Sequence, residues 1–196
     1  GSLTPEWLVH AYRHGVFPWY SAGQPILWWA PDPRAVLLPP EFRISRSLAR
    51  SIRRRGFKTR IDTAFDAVIE ACAGPRHGMA GTWITREMHD AYATLHRRGL
   101  AHSFETWHGD RLVGGLYGVN VGRAFFGESM FTRETDASKV ALARLVAECL
   151  RHDVPLIDCQ MASPHLTSLG SRNLPRLEFE AWLARLVDAG APMWHG

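Results

Sequence analysis

Apolar positions along this chain switch between two periods, and the switches mark its elements. Thr4-Pro5 has the form of a helix N-cap followed by proline at the first helical position, and Gly15 closes that helix. From Phe17 to Arg34 the period is lost among aromatics and prolines, which predicts loops rather than long helices. Ser45 caps a helix ending before Gly56, with Ile44, Leu48 and Ile52 on the side expected to dock. A short strand is predicted at Thr59–Ile61, then a helix from about residue 63 to 73 burying Phe65, Val68, Ile69 and Cys72. Thr85 caps a further helix whose core positions are Met88, Tyr92 and Leu95, stopped by Gly99.

The period then becomes two. Residues 102–108 and 111–119 alternate about Gly109-Asp110 and predict a hairpin, and Asn120-Val121-Gly122 turns into an apolar strand at 123–131. Gly114-Gly115 inside the second hairpin strand predicts a bulge or a close backbone approach. A helix follows at about 137–150, then a strand at 156–160. Ser163-Pro164 starts a short helix ending near Gly170, and a last helix carries Phe179, Trp182, Leu183 and Leu186. This order predicts an α+β fold in which two parallel strands, 123–131 and 155–160, are joined through a helix by a right-handed crossover. Splayed parallel strands of that kind form the cleft of the Gcn5-related N-acetyltransferase core, so such a core is expected over residues 35–196, preceded by a small helical and loop segment over 1–34.

Both parallel strands carry polar groups toward one end. Alternation puts Phe126, Glu128 and Met130 on one face of the first, and Asp158 and Gln160 on one face of the second. Carboxylates set in apolar strands are costly to desolvate unless something pairs with them or uses them, so a polar cleft in an apolar wall is expected there.

Composition is that of an ordinary globular chain, 46% hydrophobic and 21% charged, with no apolar run long enough to span a membrane. A cytoplasmic protein with no membrane partner is expected. Gly1-Ser2 reads as a remnant of cloning, so the native start is expected upstream. Cys72, Cys149 and Cys159 lie far apart in apolar settings, which suits reduced thiols; His10 and His14 share a helical face without further ligands, and no metal site is expected. Charge changes the picture. Residues 34–60 hold nine basic side chains and one acid, so a segment of +8 sits in a protein of net charge +4. Arg46, Arg50, Arg53 and Arg54 fall on one helical face with no acid beside them, and this points to phosphates of a nucleic acid. Trp19 is a candidate for stacking on a base, whereas Trp28 and Trp29 read as plugs over the core.

An acetyl-coenzyme A enzyme acting on small molecules is the alternative, and the chain argues against it. No Arg/Gln-x-x-Gly-x-Gly/Ala loop leads into the helix after the cleft strand, and the segment 132–138 that would cradle a pyrophosphate holds Glu134 and Asp136. Gly127-Glu128-Ser129-Met130-Phe131 begins like a nucleophile elbow but ends in Phe. Five blocks in order resemble the leucyl/phenylalanyl-tRNA–protein transferase family: Phe17-Pro18-Trp19; Trp28 to Arg34; Gly81-Thr82-Trp83-Ile84-Thr85; Gly127 to Phe131; and Asp158-Cys159-Gln160 with Ser168-Leu169-Gly170.

The resemblance implies transfer of Leu, Phe or less readily Met from aminoacyl-tRNA to the α-amine of proteins with N-terminal Arg or Lys, marking them for degradation by the N-degron route, with no cofactor and no DNA partner. It implies that Trp19 and Trp83 meet the 3′-terminal adenosine, and that Leu116, Phe125, Met130, Leu142, Leu145 and Ile157 line the aminoacyl pocket. Simple alternation sets Phe125 opposite Met130, so the strand must bulge if both line it. Glu128, Asp158 and Gln160 are the expected catalytic network, with Asp158 polarising Gln160 and serving as general base. The aminoacyl ester is already activated, so positioning and proton management suffice without a covalent intermediate.

Overall fold

The computed structural model describes residues 2–74 and 84–194. Its first half runs through helix α1 (Pro5–Arg13), strands β1 (Phe17–Pro18), β2 (Trp28–Trp29) and β3 (Arg34–Leu37), helix α2 (Arg46–Arg54), strand β4 (Phe57–Ile61) and helix α3 (Phe65–Ala73). The second half holds helix α4 (Arg86–Arg97), strands β5 (Ala101–His108), β6 (Arg111–Val121) and β7 (Ala124–Thr132), and helix α5 (Ala137–Arg151). Strand β8 (Leu156–Gln160), helix α6 (Pro164–Ser168), strand β9 (Arg172–Leu174) and helix α7 (Arg176–Leu186) complete it. The expected caps close the helix starts: Thr4, Ser45, Thr85 and Ser163 each accept a backbone N–H from the first turn.

Seven strands form one sheet in the order β4-β5-β6-β7-β8-β3-β9. It is mixed, with β7 and β8 parallel and the other neighbours antiparallel. The fold is therefore α+β. Alternation divides adjacent strand residues between its faces. Val36, Tyr117, Phe126 and Leu156 join the core that α1, α3, α4 and α7 cover, whereas Leu37, Leu116, Phe125 and Ile157 join the core under α5. Gly114 answers the expected close approach, since a Cβ there would lie 2.6 Å from Ala137 at the start of α5.

Two features make the opening that matters. The parallel ladder runs only from Ala124 opposite Leu156 to Phe126 opposite Asp158, after which β7 continues without β8. At that point β7 also bulges. Tyr117 faces Ser129 and Gly118 faces Gly127, which leaves Glu128 as the extra residue. Gly118 is required here, because a Cβ on it would sit 2.3 Å from the Phe126 carbonyl oxygen. The bulge corrects the simple alternation: Phe126 belongs to one core and Met130 packs against the other.

Three further expectations are corrected. Residues 17–34 are not all loop, since β1 and β2 pair as a small ribbon. Strand β3, which begins at Arg34, lies within the sheet between β8 and β9. Its four residues are buried; an arginine at the head of a basic segment hid it. The α2 helix docks through Leu48 and Ser51, leaving Ile44 and Ile52 exposed. No helix among the described residues is long and apolar enough to cross a membrane.

Candidate active site

Where β7 and β8 part, the gap holds a cavity of about 120 Å³. Its apolar wall comes from Leu116 of β6, Met130 of β7, Leu142 and Leu145 of α5, Ile157 of β8, and Leu166 of α6. Its polar end is formed by Glu128, Gln160 and their neighbours. Five of the six expected pocket residues thus face one space. Phe125 does not: its ring is fully buried, edge-on to Phe104 and Trp194 at 5.8 and 5.9 Å. The parity that the bulge restores puts Phe125 in the same core as Met130, but Phe125 is not among the residues that line the cavity.

Glu128 sits at the bulge with its side chain accepting from two donors. Tyr92 Oη donates to Oε2 at 2.9 Å, and Gln160 Nε2 donates to Oε1 at 2.9 Å. Tyr12 Oη lies 2.6 Å from Tyr92 Oη. Burial pushes the Glu128 carboxyl up to about 7, the hydroxyls of Tyr12 and Tyr92 and the charge of Arg34 pulling it partly back. A buried carboxyl near 7 exchanges its proton at neutral pH, as a general acid or base must. Gln160 has an amide with two N–H groups, and one of them goes to Glu128. Its second N–H and its oxygen have no hydrogen-bond partner among the described residues.

Asp158 is placed differently from the expectation. Arg34 Nε and Nη2 donate to its two oxygens at 2.8 and 2.6 Å, and the Gln160 backbone N–H donates to Oδ1 at 2.8 Å. The carboxylate is 0% exposed and Arg34 only 1%. Arg34 is itself held between the rings of Phe17 and Phe179, at 4.8 and 4.9 Å. Asp158 therefore serves the backbone rather than the amide side chain of Gln160. Gln160 has φ 63°, a left-handed conformation that costs a non-glycine residue about 1–3 kcal/mol, and the bond to Asp158 steadies it. The side-chain partner of Gln160 is Glu128, while Asp158 holds the Gln160 backbone.

Sequence reasoning missed Arg34, Tyr12 and Tyr92. Tyr92 lies on the helical stripe that reads as core, and it is core, yet its hydroxyl reaches the carboxylate. A signal was available in the polar tip itself, because a buried tyrosine hydroxyl needs a partner. Cys159 also lines the cavity, and burial pushes its thiol far above the ordinary range, so it is a neutral wall group.

Outside the cavity, Arg46, Arg50, Arg53 and Arg54 are all exposed and make no ion pair among the described residues. Arg34, by contrast, leaves the basic surface for the interior. Trp19 is half-buried, with Trp29 donating its indole N–H to the Trp19 carbonyl at 2.8 Å. Trp29, expected as a plug, is 41% exposed, whereas Trp28 packs on the core. Trp83 lies outside the described residues. At the start of α5, Glu134 pairs with His108 and Arg111, and Asp136 accepts from Ser51 and Lys139. That end is filled by acids where coenzyme A would need donors.

Comparison with known proteins decides the family. The family model described as leucyl/phenylalanyl-tRNA protein transferase matches residues 36–184, and the one for its N-terminal domain matches residues 1–32. The chain belongs to the leucyl/phenylalanyl-tRNA–protein transferase family. A relative of that name from Azoarcus sp. (strain BH72) is 57% identical over 198 residues, covering 100% of this chain and 84% of the relative. One from Leptothrix cholodnii is 57% identical, covering 98% and 77%, and one from Thiobacillus denitrificans is 56% identical, covering 96% and 82%. As a member of this transferase family the chain is an aminoacyltransferase. Among solved structures, L-PGS from Bacillus licheniformis aligns with a TM-score of 0.46 at 11% identity, over 82% of this chain and 52% of that one, a likeness that bears no weight.

Proposed function

We propose that the cavity receives the side chain of an aminoacyl group carried by tRNA, and that the group passes to the α-amine of a protein at the polar end. In this reading the wedge between β7 and β8 works as in the Gcn5-related acyltransferase core, with an RNA in place of coenzyme A. The observation that carries it is the juxtaposition of one apolar hole with the Glu128–Gln160 pair. A cavity of about 120 Å³ has the size of a single aliphatic side chain; a space of about 150 Å³ takes benzene. Leucine fits directly, methionine bends to fit, and phenylalanine enters as the flexible Met130 gives way. Apolar pockets of this kind separate such side chains by only about 1–3 kcal/mol, which suits several accepted amino acids.

The acceptor amine attacks the ester carbonyl carbon. A C–N bond forms, the ester C–O bond to the terminal ribose breaks, and one amine proton must leave. Glu128 takes that proton and passes it to the ribose oxygen as that oxygen departs. The second N–H of Gln160 donates to the carbonyl oxygen as negative charge develops on it. Asp158 acts through Gln160, clamped by Arg34. The ionised Glu128 also favours a cationic N-terminal residue, Arg or Lys, at the mouth. The exposed arginines of α2 hold tRNA phosphates, and Trp19 and Trp83 take the terminal adenosine. Charged tRNA and new N-termini meet in the cytoplasm, where the product enters the N-degron route.

Incubation with radiolabelled Leu-tRNA and a peptide beginning with Arg tests this directly. Label is expected in the peptide, and none in the same peptide with an acetylated N-terminus. Label in neither, with the tRNA still bound, would reduce the chain to an RNA-binding protein. Thermal stabilisation by coenzyme A would favour the acetyl-transfer alternative.

A further inference from the structure

Glu128 is gripped from the side away from the cavity. Tyr12 and Tyr92 are both fully buried, one on α1 and the other on α4, 80 residues apart in sequence. Their rings are fixed by packing: Tyr12 lies against Phe126 at 5.1 Å, and Tyr92 is edge-on to Tyr117 at 5.5 Å. Burial raises both hydroxyls well above their ordinary range, so each remains a protonated donor and neither takes a proton from the reaction. Tyr92 has one hydrogen and gives it to Glu128 Oε2. Its oxygen is left to accept, so the hydrogen in the 2.6 Å contact comes from Tyr12. With Glu128 ionised, the chain of donors is directed: Tyr12 to Tyr92 to the carboxylate. Since Gln160 also donates, every side-chain hydrogen bond that Glu128 makes among the described residues favours its ionised form.

We infer that Tyr92, and Tyr12 behind it, are positioning residues that orient the Glu128 carboxylate toward the cavity and set the pH at which it accepts a proton. The inference rests on the reading of Glu128 as proton acceptor. The groups facing Glu128 are Tyr12 from α1, Tyr92 from α4, Tyr117 from β6, Asp158 and Gln160 from β8, and Arg34 from β3. The two tyrosines and Arg34 favour the charged form, while burial and the Asp158 charge oppose it. Tyr12 belongs to the segment matched by the N-terminal family model, while Tyr92 and Glu128 belong to the other. The N-terminal helix thus reaches the reacting centre through a hydroxyl.

The test is the pH profile of single-turnover transfer from Leu-tRNA to an Arg-peptide, read for Tyr92→Phe, Tyr12→Phe and Glu128→Gln. The profile carries the ionisation of the acceptor amine, common to all variants, and a limb that Glu128→Gln should abolish. Removing a donor from a carboxylate weakens its charged form, so Tyr92→Phe should move that limb to higher pH by about one unit. Tyr12→Phe, which strips the donor behind it, should move it the same way. The apparent affinity for Leu-tRNA should not change in either. If Glu128→Gln abolishes the limb while both phenylalanine variants leave it in place, this inference fails and the role of Glu128 stands. If the limb survives Glu128→Gln, the role of Glu128 falls and the inference with it. Should Tyr92→Phe not fold, Tyr12→Phe alone decides between a moved and an unmoved limb.

Discussion

Two glutamates are buried in this sheet, and they differ in how many donors they meet. Glu105 on β5 accepts from the backbone N–H groups of Thr63 and Ala64, from the hydroxyls of Thr63 and Ser103, and from the indole of Trp107. Those contacts close the start of α3, which has no other side-chain cap. Glu128 on β7 accepts from two donors and borders a cavity. Exposure hardly separates them, at 0% and 8%. A carboxylate saturated with donors is a structural part, since its charge is already solvated by the protein. One with two donors and a space beside it is left short, and burial raises its proton affinity until a substrate can complete the shell.

The sharpest way to break that contrast is Glu128→Gln. Transfer should fall by roughly 100- to 10,000-fold in single turnover while Leu-tRNA still binds, because the proton acceptor is lost and the pocket is not. The effect on stability should depend on pH. In the folded protein Glu128 titrates near 7 against an ordinary 4.5, so between those values the folded state holds a proton that the unfolded chain has released. Stability contributed by Glu128 is therefore present below about pH 4.5 and lost as pH rises through 7. Glutamine does not ionise, so, beside the fixed cost of the accepting oxygen it removes, the variant's melting temperature should gain on the parent's as pH rises from 5 to 8. Thermal unfolding across that range checks it; a gap of constant size would mean that Glu128 is not held near 7.

Glu105→Gln should do the opposite at a smaller scale. One oxygen becomes an amide that cannot accept from the Thr63 hydroxyl and the Trp107 indole, leaving buried donors unpaired at about 1–3 kcal/mol. For a chain of this length that lowers the melting temperature by several degrees. Transfer per folded molecule should be unchanged. A selective loss of activity with no loss of stability would erase the distinction between the two carboxylates.

Much of this architecture is legible along the chain, because helices and strands are written in local periods. The helix of residues 137–150, the hairpin and the two parallel strands follow from spacing and caps alone. Strand β3 was hidden because its first residue is Arg34, and a buried arginine cannot be told from a surface one by neighbours in sequence. Its partner Asp158 lies 124 residues away. The bulge was demanded by the parity of Phe125 and Met130, and the facing pair Gly118 and Gly127 could have located it. Tyr12 and Tyr92 escaped because a helical stripe shows which face is buried and says nothing about what a hydroxyl meets there. Asp158 was legible as a neighbour of Glu128 and Gln160, but its bond to Arg34 was not, since that depends on a pairing across the sheet.

The smallest effect expected is on the surface. Arg34 and the arginines of α2 come from one basic segment, but Arg34 is locked to Asp158 while Arg46, Arg50, Arg53 and Arg54 lie in solvent without counter-charges among the described residues. An exposed guanidinium acts on a phosphate through screened attraction and release of a counterion, so its contribution shows best as salt dependence. Arg50→Ala should weaken Leu-tRNA binding only a few-fold near physiological salt. It should also lower the slope of log affinity against log salt by about one. Transfer from saturating Leu-tRNA should be untouched, because nothing near Glu128 has moved. Replacing all four should reduce the slope by about three to four and leave the melting temperature nearly constant, since no partner is lost. A slope that stayed put would move the phosphate contacts elsewhere on the molecule, with the cavity reading intact. A fall in saturated transfer would mean that α2 does more than hold RNA, and that the separation between grip and chemistry drawn from burial is false.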